Sequence, residues 1–197
     1  AFPGQLNLPV LQLALSRGSG GRAIVSAIPV GVAGPAAAAV SYAGVRLVLD
    51  LNADGRAQTD ETTLSQGNLS ADDGSLDLGG FSLELTDGIP AALLVVVDIQ
   101  ASTAENSTFQ FSLAASTDVT ATNASAEPLA VAGGPVTGGT FTNRLPDTTA
   151  PTITISSPAG TYVNAATIPM GFSATDSNSG VASISGLIDG VTPVNDG

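Results

Sequence analysis

Apolar and polar residues alternate along much of this chain with a period of two, not 3.6. Leu11, Leu13 and Leu15 alternate with Gln12 and Ala14. Val45, Leu47 and Leu49 are interleaved with Arg46, Val48 and Asp50, and Phe81, Leu83 and Leu85 with Ser82, Glu84 and Thr86. Phe109, Phe111 and Leu113 repeat the pattern. Each run predicts a strand with one buried face. Leu94-Val95-Val96-Val97 is unbroken and predicts a strand covered on both faces. Turn clusters separate the runs: Arg17-Gly18-Ser19-Gly20-Gly21, Asp72-Asp73-Gly74, Gly79-Gly80, Asp87-Gly88 and Gly133-Gly134-Pro135. Helical periodicity is absent over any long stretch; only residues 36–39, all alanine, suit a turn of helix. Short strands with Gly and Asp turns predict an all-β fold, a β-sandwich.

The alternation stops near residue 143. Leu145-Pro146-Asp147-Thr148-Thr149-Ala150-Pro151 is polar, carries two prolines and has no core pattern, so residues 144–151 read as a stiff linker. A new strand is predicted at Thr152-Ile153-Thr154-Ile155. Only about fifty residues remain from Asp147 onward, whereas a seven-stranded sandwich needs roughly 100. Residues 152–197 therefore read as an incomplete domain, either cut short or completed by another chain. Residues 17–143 form the main sandwich, and residues 1–16 hold an N-terminal strand that is a candidate donor for strand exchange.

Composition narrows the chemistry. The chain contains no Cys, His, Trp or Lys. Disulfides and thiolate chemistry are excluded, as are the commonest general base and the usual activators of a nucleophilic serine. A carboxylate-pair hydrolase is the one enzyme class that survives, and Glu61, Glu84, Glu105 and Glu127 have no motif around them. A catalytic role is not expected. The net charge is −12, and Arg17, Arg22, Arg46, Arg56 and Arg144 are scattered, which argues against nucleic acid and anionic membrane. Residues 23–45 are uncharged, but Pro29, Gly31, Gly34 and Pro35 interrupt them, and a spanning helix needs roughly 20 strongly apolar residues. No membrane insertion is expected. With neither signal peptide nor initiator Met, the chain reads as mature or excised.

The negative charge suits divalent cations, and one segment is built for them. Residues 50–61 match D-x-[DN]-x-[DN]-G-x₅-E at every fixed position. Ca²⁺ takes about six to eight oxygens. Asp50, Asn52 and Asp54 supply side-chain oxygens at loop positions 1, 3 and 5. Gly55 allows the sharp turn, Arg56 offers its backbone carbonyl, Gln58 acts directly or through water, and Glu61 binds with both oxygens. Asp60 is a substitute or supporting carboxylate. The flanks are not helical: residues 45–49 read as a strand, and residues 62–68 are poor helix material. The expected site is a calcium loop in a β protein, pinning a strand-to-loop corner.

Other acidic groups carry less. Asp72, Asp73 and Asp77 could form a second loop but fit solvated turns, and Asp147, Asp176 and Asp189 could bracket a cation between domains. Asn68, Asn106 and Asn123 lie in N-x-[ST] sequons, so glycans are candidate modifications.

Val45-Arg-Leu-Val-Leu-Asp-Leu-Asn-Ala-Asp-Gly55 resembles a recurring β-sandwich module of large bacterial surface and secreted proteins, in which a strand runs straight into a D-x-N-x-D/N-G calcium loop. Residues 91–98, Phe109-Gln-Phe-Ser-Leu113 and Asp118-Val-Thr-Ala-Thr122 are similar to the same pattern, and the likeness covers most of residues 5–142. That family often has Asp at loop position 9, where this chain has Gln58. Asp147-Thr-Thr-Ala-Pro-Thr-Ile-Thr-Ile155, Ala174-Thr-Asp176, Ser179-Gly-Val-Ala182 and Ile188-Asp-Gly190 resemble the opening of a bacterial Ig-like repeat. The resemblance implies an Ig-like or jelly-roll-type sandwich followed by a partial Ig-like sandwich, located at the cell surface or outside the cell. It implies a structural or assembly role, as filament subunit, stalk or adhesin segment. Ca²⁺ would stabilise it, strand exchange would be a route to self-assembly, and the partners would be copies of itself or neighbouring Ig-like domains. The alternative is an adhesion module that binds carbohydrate or a surface, with Tyr42 and Tyr162 as the available aromatic contacts.

Overall fold

A computed structural model describes residues 1–18, 21–34, 42–69, 74–156, 171–177, 180–181, 183–188 and 192–195. They form two compact units, Ala1–Leu145 and Pro146–Gly197. The helical turn expected at residues 36–39 lies outside the described residues.

The first unit is an antiparallel β-sandwich. Its first sheet contains β1 (Leu8–Leu15), β6 (Ala91–Ile99), β3 (Tyr42–Asp50) and β4 (Thr62–Gly67), in that order. Its second sheet runs β10 (Phe141–Thr142), β7 (Thr108–Leu113), β2 (Ala23–Ala33) and β5 (Ser75–Leu85). Two short strands extend it: β8 (Thr120–Thr122) pairs with β2, and β9 (Val136–Thr137) with β7. The inward residues of the strand patterns meet in one core. Val45 and Leu47 of β3 and Leu93, Val95 and Val97 of β6 pack with Ile28 and Val30 of β2, Leu78 of β5, and Phe109 and Phe111 of β7. Phe109 stacks on Phe141 with ring centroids 5.3 Å apart and meets Phe111 edge-on at 6.3 Å. Each such fully buried side chain stabilises the fold by about 1.5–3 kcal/mol relative to exposure.

The structure corrects one sequence reading, at Gly79-Gly80, and places Pro29, Gly31 and residues 1–16. Pro29 and Gly31 do not interrupt β2, which runs from Ala23 to Ala33 with Pro29 opposite Asp77. On its other flank β2 pairs with β8 up to Ala27 and with β7 from Gly31. Residues 28–30 therefore have a ladder on one side only, where a missing N–H is tolerated. Gly79-Gly80 is not a turn but a bulge inside β5: the register steps from Val25↔Leu83 to Ala27↔Gly79, and Gly80 sits at φ +82°. Residues 1–16, read as an N-terminal strand and candidate donor, contain β1. β1 pairs with β6 of its own chain from Leu8↔Val97 to Leu15↔Ala91. The pairing continues upstream, where Gly4 N–H donates to the Ile99 carbonyl and Ile99 N–H to the Gln5 carbonyl. Val10, Leu11 and Leu13 are buried in the common core.

The two long seams between the sheets close differently. At one, β4 meets β5: the Ser65 hydroxyl donates to the Gly79 carbonyl at 2.7 Å, and a Cβ on Gly67 would stand 2.9 Å from Leu76 Cδ1. At the other, the chain after β9 crosses to β1 so closely that a side chain on Gly138 would collide with the Val10 carbonyl. Gly138 N–H meanwhile donates to Phe111.

Among its described residues the second unit contains two antiparallel ribbons. β11 (Thr152–Ser156) pairs with β12 (Gly171–Thr175), and β13 (Ser185–Ile188) with β14 (Thr192–Asn195). Ile153 lies opposite Ala174 and Ile155 opposite Phe172, so these four share one face. No residue of β11 or β12 is buried. Among the described residues no helix is long and apolar enough to cross a membrane.

Candidate metal centre

Residues 51–61 connect β3 to β4, whose pairing ends at Leu49↔Thr62. The loop is thus the tip of a β-hairpin, and its shape follows from its first residue. On β3, Val45 and Leu47 face the core, so Arg46, Val48 and Asp50 face the outer side of the first sheet. Asp50 is buried there at 3% exposure. Its Oδ1 accepts Asp54 N–H at 3.2 Å and its Oδ2 accepts Gly55 N–H at 2.9 Å, which folds the chain back over the strand. Two left-handed residues make the curl, Ala53 at φ +56° and Gly55 at φ +75°. Gly55 supplies the second at little cost; a Cβ there would also approach Gln12 Oε1 of β1 to 3.5 Å.

The remaining oxygens gather around Asp54. Asn52 Oδ1 accepts Asp54 N–H at 3.2 Å, and Asn52 Nδ2 donates to Asp54 Oδ2 at 3.1 Å. Asp54 Oδ1 accepts Arg56 N–H at 2.8 Å, and Gln58 Nε2 donates to Asp54 Oδ2 at 2.7 Å. Glu61 closes the loop: its Oε2 accepts Gln58 N–H at 2.9 Å, while its Oε1 is buried with no hydrogen-bond partner among the described residues. The structure therefore links Asp50, Asn52, Asp54 and Gln58 directly and joins Glu61 through the Gln58 backbone. Asp60 is exposed. Among the described residues no three Asp, Glu, His or Cys side chains converge as a metal cluster. A cation would need the amide and carbonyl oxygens of the loop as well as its carboxylates.

This donor set fits a hard cation. All of its side chains offer oxygen, none offers sulfur or imidazole, and its last carboxylate keeps one buried oxygen without a donor. Asp50, Asn52, Asp54, the Arg56 carbonyl, Gln58 and Glu61 are the residues that would hold Ca²⁺. Side-chain amides that now turn N–H toward Asp54 would have to rotate their oxygens inward.

The loop also covers something. Val48, Leu94 and Val96 form a small second core on the outer face of the first sheet, with Ala57 of the loop packed against it. This is why the run at Leu94–Val97 is apolar on both faces. Further along the same face, Arg46 makes a two-pronged ion pair with Asp98, Nη1 to Oδ2 and Nη2 to Oδ1, both at 2.8 Å. Asn7, at φ +54°, donates its N–H to Asp98 and accepts from Arg46, both at 2.8 Å. Hydrogen bonding from Arg46 holds the Asp98 carboxyl below its usual range, opposed by burial and helped by the Asn7 amide. The same hydrogen bond raises Arg46. Sequence reasoning missed this cluster. Its only signal was the placement of Arg46 and Asp98 on outward positions of two strands whose pairing a sequence does not reveal.

The other candidates are placed as follows. Asp77 lies on β5 opposite Pro29, while Asp72, Asp73 and Asp189 lie outside the described residues. Asp147 accepts Thr149 N–H at 2.8 Å. Tyr162 is outside the described residues. Of the sequon residues, Asn106 is exposed in a turn at φ +61°, and Asn123 Oδ1 holds a tight turn by accepting from Ser125 and Glu127. Glu84 pairs with Arg22 and Glu127 with Asn123.

No family model, curated protein or solved structure matches this chain. The resemblance drawn from the sequence therefore stands on the residues quoted for it.

Proposed function

We propose that this chain is a non-catalytic structural module of an extracellular or cell-surface assembly, with residues 50–61 holding Ca²⁺. The observation that carries the reading is the unsatisfied, buried Glu61 Oε1 at the end of a loop curled by the Asp50 carboxylate. A Ca²⁺ there would offset two of the three negative charges of Asp50, Asp54 and Glu61 and fasten the hairpin tip over Val48, Leu94 and Val96. Its role would be mechanical: without it, the like charges of the loop repel and the second small core loses its cover. The absence of His, Cys and Lys supports a non-catalytic role.

Assembly is the second half of the proposal, with copies of the chain or neighbouring Ig-like domains as partners. β1 is an edge strand whose slot beside β6 a neighbour's β1 could fill with identical pairing. Ile153 and Ile155, at 61% and 67% exposure, form an apolar face that an assembly would cover. Light scattering and negative-stain microscopy with Ca²⁺ and with chelator test this. Long regular particles, or large oligomers dissolved by chelator, are the expected result. A monodisperse monomer in both conditions would sink self-assembly.

A further inference from the structure

The seam near the C-terminal end of β1 is left open. Beyond the Gly138 crossing, the sheets part around a cavity of about 500 Å³, lined from one side by Ala14 and Leu15 and from the other by β2, β5, β8 and residues 129–132. That volume lies within the roughly 300–1,000 Å³ of small-molecule sites. Its inner walls, Val25, Leu85, Val119 and Ala121, are apolar and at most 7% exposed. Among the described lining residues, Arg17 alone is charged. Its Nη2 pairs with Asp87 at 2.8 Å, and the Asp87 side chain is 77% exposed. The Nε–H, buried, meets no acceptor among the described residues.

A buried guanidinium N–H without an acceptor is costly and calls for a partner. The partner it suits is an anion such as a carboxylate, because a guanidinium N–H bonds a charged oxygen more strongly than a neutral one. Apart from Ser16, the other lining side chains are aliphatic. We propose that this cavity binds a small carboxylic acid with an aliphatic tail, its carboxylate on Arg17 Nε and its tail between the sheets against Val25, Val119 and Ala121. The site is independent of the calcium loop, which lies over the outer face of the first sheet.

The test uses the whole chain and decanoate as probe, with decanol and acetate as controls, followed by calorimetry and by amide NMR shifts. Decanoate is expected to bind saturably at one site and to shift residues 14–18 and 129–132. Decanol, lacking the charge, and acetate, lacking the tail, should each bind at least about tenfold more weakly. Arg17→Met keeps the stem that packs in the wall and should bind decanoate no better than decanol. Ala121→Leu, which fills the cavity, should weaken both; its circular dichroism and melting confirm that it folds. No saturable decanoate binding below its micelle concentration overturns the proposal. So does equal decanoate affinity in wild type and Arg17→Met.

Discussion

Two regions of this chain carry the same apolar/polar alternation and reach different ends. In the first unit, Phe109 and Phe111 on β7 are inaccessible to solvent, because the first sheet lies over them. In the second, Ile153 and Ile155 on β11 alternate just as regularly, yet each keeps more than half its surface in water. The β11–β12 ribbon has one apolar face and nothing of its own strands to set against it. The difference teaches that a period of two specifies which residues share a face, not whether the face is buried. Burial requires an opposing layer, and a two-stranded ribbon alone is marginal in water.

The comparison can be broken most strongly at its buried end. Phe109→Ala removes a ring stacked on Phe141 and should cost about 3–5 kcal/mol, read from denaturant unfolding. A cost under about 1 kcal/mol would mean the two sheets do not share a packed core. Next comes the Arg46–Asp98 pair. Asp98 is held below its ordinary range when folded, so its contribution is present above the unfolded carboxylate value near about pH 4 and is lost as pH falls through the lower folded value. Asp98→Asn should cost about 1 kcal/mol at neutral pH after allowance for solvent screening, and the gap from wild type should close on acidification. A gap independent of pH would remove the ion pair from the account. The smallest effect is expected at the open end. Ile155→Thr should change stability by no more than about 0.5 kcal/mol. A loss of about 2 kcal/mol would show that a covering layer already buries this face.

Much of this contrast was legible beforehand. Every alternating run named from the sequence lies in a strand, and the unbroken apolar stretch at Leu94–Val97 is covered on both sides. Gly and Pro were less readable, because their local preference for turns competes with ladder pairing. Pro29 stands in β2 where one flank has no partner strand, and Gly80 makes a bulge rather than a turn. The hairpin loop at residues 50–61 was visible because its residues are consecutive. Arg46, Asp98 and Asn7, from three strands or their flanks, and the cavity beside Arg17 were not. Contacts between residues tens of positions apart depend on strand order, which alternation leaves open.

The most direct test of the central claim is calcium titration of the whole chain by calorimetry, paired with thermal melting, on wild type and Glu61→Gln. One saturable site is expected, with a melting midpoint that rises with Ca²⁺. Glu61→Gln should bind at least about tenfold more weakly, since it removes the carboxylate whose buried oxygen lacks a partner. No binding heat and no melting shift at millimolar Ca²⁺ would contradict the account, as would identical binding by wild type and Glu61→Gln.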